Sequence, residues 1–195
     1  KSCRVRWEEK TKRIKAISAL QIMIEGKHLP QYWLQIAIPV DSKLQALDRF
    51  LRDIWLECCG HLSMFDIEGI RYTEDYEEID YAESIEVKVG KILRAGVKFD
   101  YKYDFGTTTH LALRVVGSTE LSKKEMFLLA RNEPPFIPCG VCGRNAELIC
   151  GFCSHLDVGW LCHPCAKKHE CEGPNFLPMV NSPRTGQCGY SGLVD

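Results

Sequence analysis

The chain has 195 residues, 45% hydrophobic and 26% charged, with a formal net charge of -1. A length on this scale fits one or two domains. The near-neutral balance argues against a general polyanion binder, and no apolar run reaches the roughly 18 residues that a membrane helix needs.

Seven Lys or Arg against two Glu make residues 1–15 basic. The segment 1–16 is read as a basic arm, solvated or able to meet nucleic acid or a membrane surface. No apolar h-region stands near Lys1, so these residues do not read as a secretory leader, although one could precede them; a cytoplasmic location is expected. Residues 17–25 (ISALQIMIE) read as a strand. Residues 33–40 follow as a second, with Leu34, Ile36, Ile38 and Val40 on one face, and the two can pair as a hairpin. Over 42–58 the apolar period becomes helical: Leu44, Leu47, Leu51, Ile54, Trp55 and Cys58 form one stripe. Asp41 or Ser42 is the expected N-cap, and Gly60 the C-terminal stop.

Residues 63–73 read as a strand pair or bent strand around Gly69. Residues 66–86 hold nine acids against one Arg, which predicts a solvated loop. A calcium site there lacks the spacing of a calcium-binding loop. In KFDYKYDF (98–105), Phe99, Tyr101, Tyr103 and Phe105 alternate with charges. That is the pattern of a half-buried antiparallel strand rather than a base-stacking surface. HLALRVVG continues as a strand, and residues 125–132 as a last strand or short helix. Pro134, Pro135 and Pro138 form a stiff link.

Eight of the eleven cysteines then crowd into residues 139–188. Cys139/Cys142, Cys150/Cys153 and Cys162/Cys165 are three Cys-x-x-Cys knuckles, followed by His169 and Cys171. Each knuckle turns two sulfurs toward one ion, and two tetrahedral sites need eight such donors. Neighbours three apart bridge poorly, so metal is favoured over a disulfide framework, and the His favours zinc over an iron–sulfur cluster. Two structural zinc ions are expected, in a segment 133–195 too small to fold on its own core. The knuckles can pair in sequence or interleaved. The spacing resembles the B-box and MYND cross-brace fingers, which implies the interleaved order. Cys188 is an alternative eighth ligand to Cys171; His155 and His163 are weaker candidates.

The order strand, strand, helix ending ECCGHLSMFDI, then GVKFDYKYDFG and a further strand resembles the plasmid pRiA ORF-three-like family, whose relatives include an insertion-element passenger protein. The resemblance covers residues 17–131. Its most specific pieces are Tyr103-Asp104-Phe105-Gly106 and Gly60-His61-Leu62. It implies an α+β domain, a largely antiparallel sheet with helix cover, over residues 17–132. Some members carry a cysteine-rich tail ending in Asn-Ser-Pro-Arg, here Asn181 to Arg184. No activity comes with the resemblance. Where many members read Asp-x-Trp-x-His after the glycine, this chain has Thr107-Thr108-Thr109-His110-Leu111.

Catalytic readings are weak. Asp104-Phe105-Gly106 lacks every other kinase element, and Ser63 with His61 and Asp66 lacks a nucleophile elbow. Cys58 and Cys59 beside His61 read as small apolar residues at a helix end more readily than as metal or thiol chemistry. His61, Asp104 and His110 are a further candidate cluster in the folded domain. The expected fold is thus α+β, a largely antiparallel sheet followed by a small cross-brace zinc-binding domain. The expected role is a non-enzymatic protein-interaction module with no membrane partner. Nucleic-acid binding is the alternative, and a metal-dependent enzyme the third reading.

Overall fold

The computed structural model describes residues 16–77 and 79–192. All but Ala16 of the basic arm therefore lies outside the described residues. The architecture is α+β. Strands β1 (Ile17–Gly26) and β2 (Leu29–Pro39) form the hairpin that their alternation predicts, with Leu20 opposite Ile38 and Ile24 opposite Leu34. Helix α1 (Leu44–Leu51) follows and continues as a π-helical turn, Arg52–Leu56. Its N-cap is Lys43, not Asp41 or Ser42, and no side chain caps it. The chain reaches the helix already fixed by main-chain bonds instead: Leu44 N–H donates to Val87 O and Gln45 N–H to Ile85 O.

Strands β3 (Ser63–Ile67) and β4 (Ile70–Thr73) are a hairpin about Gly69. The acidic stretch is more structured than its charge predicts. It contributes β4 and the short β5 (Ala82–Ser84), because Tyr72, Thr73 and Ile85 are buried while Glu74, Glu83 and Glu86 face water. After the one-turn helix α2 (Val89–Ile92) come β6 (Lys98–Tyr103), β7 (Thr109–Leu121) and β8 (Phe127–Arg131). The sheet order is β5-β4-β3-β6-β7-β1-β2-β8, antiparallel throughout except for the parallel β4–β5 edge.

One face of this sheet is the core. Ile22, Leu34, Tyr101 and Leu111 pack with Leu44, Leu47, Leu51 and Trp55 of the helix in a single cluster. Each such aliphatic side chain contributes about 1.5–3 kcal/mol by leaving water. The tyrosine strand is core, as its alternation predicts: Phe99, Tyr101 and Tyr103 are buried, whereas Phe105, past the strand end, is exposed. A buried carboxylate sits among them. Asp48 accepts from Ser63 Oγ (2.6 Å), Tyr101 Oη (2.7 Å) and Arg52 Nε (2.7 Å). Three donors, one of them charged, offset its desolvation.

Beyond Arg131 a second, three-stranded sheet forms from β9 (Leu148–Cys150), β10 (Trp160–Leu161) and β11 (Phe176–Pro178), in the order β10-β9-β11, beside helix α3 (His163–Ala166). The chain then returns to the large sheet. Trp55 Nε1–H donates to Asn181 O (2.9 Å), and Ser182 Oγ donates to Trp55 O (2.6 Å). Among the described residues no helix is long and apolar enough to cross a membrane.

Candidate metal centres

The small sheet sorts the cysteine-rich segment into two sets of four. Cys139, Cys142, Cys162 and Cys165 lie together, and Cys150, Cys153, His169 and Cys171 lie together, with every donor atom of a set within 4.8 Å of the others. The first knuckle thus meets the third, and the second meets the His169–Cys171 pair, which is the interleaved order. The geometry follows from local structure. Cys139 opens a turn closed by the Pro138–Asn145 bridge, and Gly140 N–H donates to Trp160 O, which brings that turn beside β10 and the start of α3. Cys150 ends β9, and Gly151 N–H donates to Asn175 O, which draws in the chain that follows Cys171. Neither His155 nor His163 joins a set; His163 faces Glu147 at 4.0 Å.

The donor chemistry of both sets fits a thiophilic cation. Cys142 and Cys162 sulfurs stand 3.6 Å apart, and Cys150 and Cys171 sulfurs 3.8 Å. Sulfurs on a tetrahedral zinc, about 2.3 Å from the ion, would be separated by ~3.8 Å. Burial opposes ionisation of Cys139, but the amide N–H groups of Cys162, Val141 and Cys142 outweigh it and bring the thiol down to about 6. Burial likewise opposes Cys150, and the amides of Cys153, Asn175 and Phe152 bring it down to about 6. Their neighbours move the other way. Hydrogen bonds with Cys142 and Cys162 push Cys165 up to about 12, and burial, then Cys150 and Cys171, push Cys153 up to about 11. Crowded thiolates repel one another in this manner, and a divalent cation removes the conflict. His169 adds an independent sign: its Nε2 is buried with no hydrogen-bond partner. Such a nitrogen is costly unless something binds it.

A third gathering lies elsewhere. The π-helical turn ends at Leu56, and Gly60, at φ +73°, bends the chain so that Cys58, Cys59 and His61 face one way. Cys188 comes to them from the returning segment, and these four donors also lie within 4.8 Å of one another. Cys188 therefore stands apart from the Cys150 set, where Cys171 sits. Beside the gathering, Asp104 holds a tight turn: its Oδ1 accepts the N–H groups of Gly106 (2.9 Å) and Thr107 (3.1 Å), and its Oδ2 accepts from Arg184 Nη2 (2.7 Å). Burial opposes ionisation of Asp104, but Arg184 and the two amides prevail and hold it at about 2.

Residues 16–149 match the family model for the plasmid pRiA4b ORF-3-like protein. The chain belongs to that family. The pRiA4b ORF-3-like match takes in the whole large sheet and the first knuckle, and Cys150 through Cys188 lie beyond it. Among solved structures, the protein of unknown function MM3350 from Methanosarcina mazei Go1 is similar. Its TM-score is 0.51 and its identity 15%, over 59% of this chain and 69% of that one. At that identity the likeness concerns the fold alone. No curated protein matches.

Within the pRiA4b ORF-3-like domain, the residues of the two specific motifs meet. His61 Nε2 lies 3.5 Å from Asp104 Oδ2, and the His61 ring stands edge-on to Tyr103, 5.8 Å between centroids. His110 does not join them. It sits 3.7 Å from Asp100 and 3.5 Å from Lys27 Nζ, on β7 next to the first hairpin. Ser63 is spent on Asp48 and forms no set with His61 and Asp66. Sequence reasoning placed Arg184 at the end of a tail motif and missed its buried role. Its side chain is fully buried and reaches Asp104, Thr107 O, Thr109 Oγ1 and the Cys58 sulfur. The signal available was the Asn-Ser-Pro-Arg stretch, which reads as a tail until its arginine is placed.

Proposed function

We propose that this chain is a zinc-stapled, non-enzymatic protein-interaction module, with two structural zinc ions in the C-terminal segment. Cys139, Cys142, Cys162 and Cys165 hold one ion, and Cys150, Cys153, His169 and Cys171 hold the other. Each set supplies four protein donors, the complement of a closed structural site, and leaves no position for substrate or an activated water. That weighs against the metal-enzyme reading.

The observation that carries the interaction role is what the knuckles present outward. Val141, between Cys139 and Cys142, is 65% exposed, and Phe152, between Cys150 and Cys153, is 51% exposed. A loop pinned on both sides by metal ligands displays such side chains with little conformational freedom to lose, which favours a protein partner. Apolar display of this kind does nothing for phosphate contacts, the main source of affinity for nucleic acid.

The test is a Val141→Ser/Phe152→Ser double variant beside the intact chain. Both should carry the same metal. A partner protein retained by the intact chain should be lost with the variant. Gel retardation of DNA or RNA by both proteins, weakening steeply from low to moderate salt, would instead favour the nucleic-acid reading.

A further inference from the structure

We propose that Cys58, Cys59, His61 and Cys188 form a third metal site, which takes one zinc-class cation and fastens the returning C-terminal segment to the end of the helix. The site is separate from the two in the cysteine-rich segment and shares no ligand with them.

The geometry is that of a coordination shell. Cys59 Sγ lies 3.6 Å from Cys58 Sγ and 3.6 Å from Cys188 Sγ, the same spacing as Cys142 to Cys162. His61 Nε2 lies 2.9 Å from Cys59 Sγ and 3.3 Å from Cys188 Sγ. Three sulfurs and one imidazole nitrogen turned to a common centre match the Cys3His donor set of structural zinc.

The backbone is shaped for it from both sides. Tyr103 Oη accepts the His61 N–H (3.4 Å) and donates to Glu57 Oε1 (3.0 Å), which holds the Cys58–His61 loop against β6. On the other side, Cys188 adopts φ +48°, between Gly186 at +77° and Gly189 at +70°. Glycine takes that conformation freely; a cysteine there is uncommon and points to a local demand on its side chain. The demand is the approach to Cys59 and His61.

The placement of a guanidinium agrees. One divalent cation with three thiolates and a neutral imidazole carries a single negative charge. Arg184 lies against it, its Nη2 3.4 Å from Cys58 Sγ. Arg144 stands in the same relation to the Cys139 set, with Nε 3.4 Å from Cys142 Sγ and Nη2 3.6 Å from Cys162 Sγ. Guanidinium donors serve thiolates, not disulfides. In both places an arginine complements the thiolate cluster.

The experiment is native mass spectrometry of the full chain, purified in reductant and loaded with zinc. The intact chain should hold three ions and Cys188→Ser two, with Cys171→Ser also falling to two and the double variant to one. Two ions in the intact chain, unchanged by Cys188→Ser, would overturn the proposal. So would a mass lower by about two hydrogens together with a Cys59–Cys188 crosslinked peptide, since that pair would then be a disulfide. A single ion, lost in Cys188→Ser, would keep the third site and refute the two-zinc reading of the knuckles. His61→Cys guards against misfolding. On the cobalt-loaded chain it should keep all three ions and increase the thiolate-to-cobalt absorption by the share of one added sulfur. An unchanged spectrum would remove His61 from the site.

Discussion

Arg184 and Asp104 are 80 residues apart in sequence, yet they form a 2.7 Å ion pair with both side chains buried. Asp104 belongs to the motif that ends β6, and Arg184 to the segment that returns after the cysteine-rich stretch. The pair ties the end of the chain to the middle of the fold.

Breaking this pair should be expensive. Arg184→Ala leaves Asp104 charged and shielded from water, at a cost of about 3–5 kcal/mol. Asp104→Asn in the Arg184→Ala background should recover part of the loss. Urea unfolding of the two single variants and the double variant measures the coupling; additive losses would mean that the pair contributes nothing specific.

Tyr101→Phe should cost about 1.5–3 kcal/mol, because Asp48 then loses one of its donors. The effect should read out as a lower urea midpoint at unchanged slope. Leu47→Ala, in the same core, should cost about 2–5 kcal/mol through the cavity it leaves.

His169→Ala should remove one metal ion and leave the Cys139 set filled. The orphaned Nε2 of His169 motivates this, and elemental analysis beside native mass spectrometry checks it. Retention of full metal would mean that His169 is a buried ring with no ligand role.

Chelation should separate the two sheets. Stripping metal from the full chain should abolish the small sheet, which is too small to fold on an apolar core of its own, and leave the far-ultraviolet signature of the large one. A chain that ends at residue 132 should melt lower than the chelated full chain, since it also lacks Asn181, Ser182 and Arg184, which bond to Trp55 and Asp104. Equal melting temperatures would mean that the returning segment is a passive tail.

The order of metal release should follow exposure. Cys59 and Cys188 are both exposed, whereas the Cys139 set has one exposed cysteine, Cys142, and the Cys150 set has none. A weak chelator should strip the Cys58–Cys188 site first, seen as early release of one ion while the small sheet persists. Simultaneous loss of all metal would contradict independent sites.

What was legible in the sequence was what repeats over a short distance. Period two gave β1, β2 and the tyrosine strand, and the 3.6 period gave α1, because one buried face imposes each pattern. The knuckles were legible because a Cys-x-x-Cys turn is local. The meeting of Cys188 with His61, 127 residues apart, was not. A lone cysteine such as Cys188 names no partner by its spacing, and a Cys-Cys-x-His run at a helix end also suits ordinary packing. Lys43 displaced the expected cap because the partners of the first helical amides come from Ile85 and Val87, far along the chain. The acidic stretch concealed β5, since its apolar residues are few and its charges dominate the composition.

The cysteine-rich segment leaves and re-enters the large sheet at one place. Asn132 Nδ2 donates to Asn181 Oδ1 (2.8 Å), and Asn181 Nδ2 donates back to Asn132 O (2.9 Å), across 49 residues. The stretch between them is thus a cassette with a shared doorway rather than an appendage on a string. Any part of the cassette that loosens stays tethered at both ends, so its return is an intramolecular event at high effective concentration. Because loop-closure entropy grows only slowly with length, the same doorway tolerates a cassette of different size or content, while the sheet behind it and the arginine that follows it stay where they are.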